Sequence, residues 1–266
     1  MTQAAALLKV GALVVPKSGS TIRECEDAVG VGRGCMRFCV ADGATEAFDS
    51  RYWARLLTKC WSRGTSAITS ARRFEECLPA LGDRFHARWE GKRLSWYSEE
   101  KSRRGAFAAF AGLAFEPDGP ELRWSAAVLG DSCLFRFAAG GMFRGAIPDV
   151  AEIGSHRRPM LIPSRRALQS DALSHLWFGS GEASKGDVFL LLTDSIAAWY
   201  ARMLETDPQL ARAFDAIVEG SCHAEAEDFI HGERRRGTLR NDDVAAVRVR
   251  FTDDSVGGSS FVSLPV

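Results

Sequence analysis

The sequence has no excess of charge of either sign: Lys+Arg and Asp+Glu each number 34. Proteins that bind nucleic acid by displacing counterions normally carry a basic excess, so this balance argues against a nucleic-acid partner. It also removes any reason to expect attraction to an acidic membrane surface. No apolar run approaches the roughly 20 residues of a membrane span. Residues 4–15 are apolar, but Lys9 interrupts them and no basic segment precedes them, so they do not read as a secretory signal. The seven cysteines (Cys25, Cys35, Cys39, Cys60, Cys77, Cys133 and Cys222) include no CxxC pair. That argues against a zinc ribbon or a thioredoxin-type site. An odd, scattered set fits free thiols in a reducing compartment, and a cytoplasmic protein is expected. The histidines lack HxH or HExxH spacing, so each reads as an ordinary core or surface residue.

What is present is ordinary globular material, 46% hydrophobic and 26% charged. The chain has no internal repeat and no low-complexity linker, and its length suits one domain over residues 1–266. Residues 36–41 form a β-like run ending on Asp42-Gly43. A helical stripe follows from Thr45 to about Arg63, carrying Phe48, Tyr52, Leu56 and Cys60 with Trp53, Leu57 and Trp61 beside them, with Asp42 or Thr45 to cap it and Gly64 to end it. A second helical pattern covers about 71–89, and Pro79 is expected to kink or divide it. Strands are expected at 106–115, 122–129 and 132–137, the last two as a hairpin around Gly130-Asp131. The residues Glu116-Pro117-Asp118-Gly119-Pro120 form a turn. Residues 145–180 show no clear pattern. A buried-type strand at 187–192, helices at roughly 195–205, 208–219 and 223–236, and a strand at 244–251 complete the chain. Two blocks of helices between strands, without βαβ alternation, predict an α+β fold of antiparallel sheets covered by helices.

The aspartates sit in informative places. Asp42 and Asp194 each end a hydrophobic strand, Asp131 lies between two strands, and Asp242-Asp243 precede the last strand. The pair Glu26-Asp27 precedes a strand start at 28–31. Each alone reads as a turn residue. Several carboxylates converging on one rim would repel one another unless a cation lay among them, and oxygen-only donors suit hard ions such as Mg²⁺ or Mn²⁺.

Taken in order, these segments resemble the metal-dependent protein phosphatase family (PPM, the PP2C-like phosphatases). Glu24-Cys25-Glu26-Asp27-Ala28 is similar to the family's early Glu-Asp motif, with Arg23 nearby. Val40-Ala41-Asp42-Gly43 resembles its strand-Asp-Gly element, and Val128-Leu129-Gly130-Asp131-Ser132 its Gly-Asp-Ser element. Leu190-Leu191-Leu192-Thr193-Asp194 resembles the strand that ends in Thr/Ser-Asp. Asn241-Asp242-Asp243-Val244 resembles the closing Asp-Asn or Asp-Asp element. The likeness spans about residues 20–251.

The resemblance implies a four-layer αββα β-sandwich of two mainly antiparallel sheets, with a binuclear Mn²⁺ or Mg²⁺ centre at one end. It implies that Asp42 bridges two ions, that the Gly43 carbonyl serves one, and that Asp194 and Asp242 hold the other. Glu26 or Asp27 would act through water, and Asp131 would serve a weaker third metal. Arg23 would bind phosphate, although its spacing to Glu26-Asp27 differs from the family pattern. The implied reaction is hydrolysis of phosphoserine or phosphothreonine in a phosphorylated protein, a kinase or kinase target, by metal-activated water. The absence of a Cys-x5-Arg loop agrees with chemistry that needs no side-chain nucleophile.

The sequence also departs from the family. Ala44-Thr45-Glu46 replace glycines after Asp-Gly, Ser195 replaces the glycine after Asp194, and Cys133 replaces the arginine of Gly-Asp-Ser-Arg. Gly105-Ala106-Phe107 stand in for a small-Thr segment. Such changes alter what orients the ligands. A catalytically weak or inactive binding or regulatory module is therefore the alternative, although a pure scaffold has no reason to keep mutually repelling carboxylates. A third reading comes from Gly130-Asp131-Ser132-Cys133-Leu134, which resembles the Gly-Asp-Ser-Leu block of serine esterases. There Ser132 would be the nucleophile, His231 the base and Asp228 its orienter. In that family the block lies near the N-terminus of an α/β fold, whereas here it lies mid-chain. The run Arg234-Arg235-Arg236 reads as a solvated helix end, or as a dock for an acidic or phosphorylated partner.

Overall fold

A computed structural model describes residues 7–32, 36–63, 71–118, 121–154 and 159–252. Two antiparallel sheets stack face to face. One runs in the order β1 (Leu7–Val15), β11 (Val244–Thr252), β10 (Val188–Leu192), β6 (Cys133–Ala138) and β7 (Met142–Ile147). The other runs β2 (Ala28–Gly32), β3 (Arg37–Gly43), β4 (Phe107–Asp118), β5 (Glu121–Leu129) and β9 (Trp177–Ala183), with the short β8 (Ile162–Pro163) against β4. Helices α5 (Asp194–Thr206), α6 (Pro208–Gly220) and α7 (His223–Arg235) cover the first sheet. Helices α1 (Ser50–Arg63), α2 (Ala71–Ala87) and α4 (Arg166–Leu173) cover the second, and α3 (Trp96–Arg104) leads into β4. The expected four-layer αββα sandwich is the fold.

Strand periodicity explains the layers. Side chains alternate across a strand, so a strand between two hydrophobic layers must be apolar on both faces. In β3 and β4, Phe38, Val40, Ala111, Leu113 and Phe115 point between the sheets. Cys39, Ala41, Ala108, Phe110 and Ala114 point at the helices. The helical stripe read from the sequence fills that outer layer with Trp53 and Trp61, both fully buried. Their indole N–H groups donate to the carbonyls of Ile162 (2.8 Å) and Leu113 (3.1 Å), which satisfies the polar atom that burial would otherwise strand. Gly112 lies directly under the Trp61 ring. A Cβ there would come within 2.7 Å of it, so the strand has a glycine where the indole needs room.

Several expectations are corrected. Gly130-Asp131 is not a hairpin turn. β5 pairs with β4 and β9, whereas β6 pairs with β10 and β7, so residues 130–132 carry the chain from one sheet to the other. α1 begins at Ser50 and not at Thr45, because residues 44–48 are held to the β4 entrance by Ala44 N–H to Phe107 O (3.0 Å) and Phe48 N–H to Gly105 O (3.3 Å). α2 runs as one helix through Pro79. The apolar segment 4–15 supplies an edge strand over its described part, and 145–180 contain β7's end, β8, α4 and β9. Gly64 and the turn residues Gly119 and Pro120 lie outside the described residues. No helix among the described residues is long and apolar enough to cross a membrane.

Candidate metal centre

Strand register builds the site. Ala28 of β2 faces Ala41 of β3, which puts the next residues outward, Asp27 and Asp42, side by side at the sheet's end. In the other sheet Leu192 of β10 faces Ala246 of β11. Thr193 extends that pairing, accepting from Ala245 N–H through its hydroxyl (2.9 Å) and donating its own N–H to Ala245 O (3.1 Å). Asp194 and Asp242 are thereby delivered to the same rim from opposite sides. Asp131 arrives on the crossing between sheets. Five carboxylates, from Asp27, Asp42, Asp131, Asp194 and Asp242, converge there.

Their titration reflects the crowding. Burial, then the neighbouring carboxylates, push Asp42 well above the usual carboxylate range, and burial does the same to Asp27 against a hydrogen bond from Thr193. Asp131 is pushed up to about 6 by burial and by Asp194. Asp242 is raised by burial and Asp194, with Arg240 opposing. Among the described residues no hydrogen-bond donor reaches the Asp42 carboxylate, and the buried Oδ2 of Asp27 has no partner. Carboxylates so placed are deficient in positive charge.

The sequence left a choice between Glu26 and Asp27, and the structure separates them. Glu26 turns aside to accept from Thr45 Oγ1 (2.7 Å) and Ser50 Oγ (2.7 Å), with the Lys17 ammonium at 3.7 Å. Asp27 faces the cluster. Asp243 is likewise set apart from Asp242, because its two oxygens accept the backbone N–H groups of Lys17 (2.7 Å) and Glu26 (2.8 Å). Gly43 sits where a side chain has no room: a Cβ would lie 2.8 Å from the Ser50 carbonyl carbon and 3.0 Å from Glu26 O. Ser195 accommodates its departure from the family pattern by donating its hydroxyl to Asp243 O at 3.1 Å.

Arg23 is not brought to the carboxylates. Its side chain is exposed, and among the described residues it has no hydrogen bond or ion pair. Arg240, which the sequence reading passed over, takes the neighbouring position instead: its guanidinium bridges Asp194 and Asp242, the latter at 2.8 Å. Its sole sequence signal was its place two residues before Asp242. Arg234, read as a solvated helix end, is half-buried and donates to Pro16 O (2.9 Å) and to Asp242 O, tying α7 to the loop that carries Asp242. The esterase triad is not assembled. Ser132 is fully buried with an unpartnered hydroxyl, and His231 Nδ1 lies 3.2 Å from Ser18 Oγ.

A cleft of about 820 Å³ opens beside the cluster, with Asp131, Asp194, Arg240, Arg202 and Glu152 in its wall. Among the described residues no three His, Cys, Asp or Glu side chains are grouped closely enough to hold one ion. The donor set nevertheless fits a hard divalent cation. It is all oxygen, it includes a buried carboxylate oxygen without a partner, and its mutual repulsion is what a cation relieves. Arg240 supplies part of that relief, so it competes with any incoming cation for Asp194 and Asp242. Arg240→Ala is expected to lower the melting temperature of the metal-free protein by about 2–4 °C, the equivalent of about 1 kcal/mol for two largely exposed ion pairs. It should also enlarge the stabilisation that Mn²⁺ confers. Thermal melts with and without Mn²⁺ measure both, and an unchanged metal shift would show that the guanidinium does not compete.

No known family's sequence pattern matches the chain, and no curated protein matches it in sequence. Solved structures do match in shape. The serine/threonine phosphatase Stp1 from Staphylococcus aureus superposes with a TM-score of 0.58 at 10% identity, over 94% of this chain and 98% of its own. The catalytic domain of the serine/threonine protein phosphatase PstP in complex with two manganese ions gives 0.54 at 14%, over 92% and 100%. PppA, a regulatory component of the T6SS in Pseudomonas aeruginosa, gives 0.52 at 17%, over 92% and 97%. The chain has the PP2C-like fold.

Proposed function

We propose that the chain is a divalent-metal-dependent phosphoserine/phosphothreonine protein phosphatase. The observation that carries this reading is the convergence of Asp27, Asp42, Asp131, Asp194 and Asp242, from both sheets, on one rim beside an open cleft. In this reading Asp42 would serve both ions of a Mn²⁺ or Mg²⁺ pair, the Gly43 carbonyl would serve one of them, and Asp194 and Asp242 would hold the other. Asp27 contributes through water, and Asp131 serves a weaker third site. Such ions, when bound, make water nucleophilic at neutral pH and neutralise charge on phosphoryl oxygens. Support also comes from the manganese complex of the similarly folded PstP domain.

The chain's own groups have defined tasks. Arg240, freed from Asp194 and Asp242, presents a planar fork of donors at the cleft wall, suited to bidentate capture of a phosphoryl group. It takes the role that the sequence suggested for Arg23. Asp243 and Glu26 hold the β1–β2 connection against the rim through backbone and hydroxyl contacts, so Asp27 is presented on a fixed support. The reading calls for no side-chain nucleophile. Cys133, beside Asp131, is buried, and burial pushes its thiol far above the range in which a thiolate forms.

One observation favours the second reading, a binding or regulatory module without turnover. The Arg240 guanidinium already neutralises two of the carboxylates that would hold metal. A single assay separates the two. With Mn²⁺ the purified protein is expected to hydrolyse p-nitrophenyl phosphate and a phosphothreonine peptide, and EDTA is expected to abolish both activities. Activity that survives thorough chelation would sink the metal mechanism. Calorimetric Mn²⁺ binding without turnover of any phosphopeptide would establish the module instead.

A further inference from the structure

The cleft beside the carboxylate rim contains a second guanidinium, Arg202, to which the chemistry above gives no task. Asp194, Ser195, Ala198, Trp199 and Arg202 all line the cleft, so one face of α5 forms a wall that runs outward from the rim. At about 1.5 Å per residue, the Arg202 backbone stands about 12 Å along the helix from that of Asp194. Long side chains on a helix lean toward its N-terminus, here toward the rim. The segment after α7 runs beside this wall. Thr238 and Arg240 line the cleft, and Leu239 between them is buried in the core.

Arg202 is exposed, yet it is held in place. Its guanidinium donates to the carbonyl of Thr238. Thr238 hangs in turn on the buried Glu233: its N–H donates to Glu233 O (3.1 Å) and its hydroxyl to Glu233 Oε2 (2.7 Å). The same Oε2 accepts the indole N–H of Trp199 (3.0 Å), so one buried carboxylate ties α5, α7 and the Thr238 segment together. The Thr238 carbonyl engages one edge of the guanidinium, which has further N–H donors to offer. Among the described residues Arg202 makes no ion pair, unlike Arg240 beside it. The other acidic groups in the wall are Asp131 and Asp194 at the rim and Glu152 on the opposite lip.

We propose that Arg202 is a specificity residue that reads an aspartate or glutamate two or three residues from the phosphorylated one. An extended peptide advances about 3.3 Å per residue, so such a side chain leaves its backbone about 7–10 Å from the phosphoresidue. That span suits a guanidinium whose backbone stands farther out and whose head leans back toward the rim. Arg240 then takes the phosphoryl group and Arg202 the flanking carboxylate. A planar fork already fixed at one edge loses little freedom on pairing with a carboxylate, and it repels a peptide with a basic residue at that position. This inference rests on the phosphatase reading for its substrate, so binding is measured beside turnover and the two can fail separately.

The test gives the purified chain, with Mn²⁺, a phosphothreonine peptide of otherwise neutral residues. Companion peptides carry Glu or Lys two or three residues before or after the phosphothreonine. At one of these positions Glu should raise kcat/KM by roughly fivefold, mainly through KM, as an exposed ion pair of good geometry does. Lys there should lower it, and both effects should shrink in about 0.5 M salt. Arg202→Gln, which keeps a donor for the Thr238 carbonyl and loses the charge, should bring the Glu and neutral peptides level. Arg202→Lys should keep part of the preference, and Arg202→Glu should reverse it in favour of the Lys peptide. Arg212→Ala, exposed on α6, should leave it intact.

Fluorescence anisotropy with the same labelled peptides reads binding whether or not they are turned over. If no peptide is hydrolysed but Glu still tightens binding through Arg202, the phosphatase reading fails and the acidic subsite stands. Equal turnover and equal binding of the Glu, neutral and Lys peptides by the parent would overturn the inference. So would an acidic preference that survives in folded Arg202→Gln and Arg202→Glu, or a chain that binds none of the peptides.

Discussion

Asp42→Asn should reduce metal-dependent phosphopeptide hydrolysis by roughly 100-fold or more, and Asp194→Asn should do the same. Each replaces a carboxylate proposed to hold metal directly, and even outer partners of metal ligands typically cost about 10–100-fold when removed. The two variants should part company in stability. Asp42 has no hydrogen-bond donor among the described residues and sits among like charges, so its amide replacement should leave the metal-free protein as stable as the parent or more so. Asp194 accepts from Arg240 and from the Ser195 N–H, so its replacement gives up favourable contacts and should lower the melting temperature. Ser132→Ala provides the contrast. It deletes a buried hydroxyl with no partner, and activity should remain within about twofold of the parent, with no loss of stability. Steady-state kinetics with Mn²⁺, together with thermal melts, measure all three. A fully active Asp42→Asn variant would remove Asp42 from the centre, and a dead but folded Ser132→Ala would demand a different chemistry.

The metal-free protein should become more stable as the pH falls from about 7.5 to about 5. Asp27, Asp42, Asp131 and Asp242 all hold their protons more tightly folded than unfolded, Asp131 up to about 6. For a group raised in this way the stabilisation is complete below its unfolded value and is lost as the pH rises through the folded one. For Asp131 that window lies between about 4 and 6, and the more strongly raised pair extends it upward. Below it, groups shifted the other way, Glu219 with its Lys9, Arg248 and Arg250 partners and Glu233 with Thr238 and Trp199, begin to lose their contribution. A rise of about 5 °C or more is expected between the two conditions in EDTA. Saturating Mn²⁺ at pH 7.5 should supply a comparable gain, because a ligand bound only by the folded state stabilises it by mass action. In the presence of Mn²⁺ the slope should flatten or reverse, since protons then compete with the ion. A melting temperature that falls steadily on acidification in EDTA would mean that the rim carboxylates are not under repulsion.

Much of this was legible in the chain because it depends on local pattern. The periodicity of 36–41, 187–192 and 244–251 announced β3, β10 and β11, and a Trp-bearing stripe announced α1, since burying one face of an element imposes its repeat on the sequence. Asp42, Asp131, Asp194 and Asp242 were visible because each stands where a hydrophobic run stops or is about to start. Other features depend on partners far away in the chain. Whether residues 130–132 turn back or cross to the other sheet depends on which strands β5 and β6 join, and both outcomes use the same Gly-Asp letters. The choice between Glu26 and Asp27 rests on Thr45 and Ser50, whose hydroxyls draw Glu26 aside. Arg240 meets Asp194 across 46 residues of chain. By itself, then, the sequence determined an α+β fold of antiparallel sheets covered by helices and a set of strand-end aspartates, since burial and turn chemistry act on neighbours in the chain. Only the tertiary structure decided which carboxylates face one another and which cation stands among them, because charge and contact act through space.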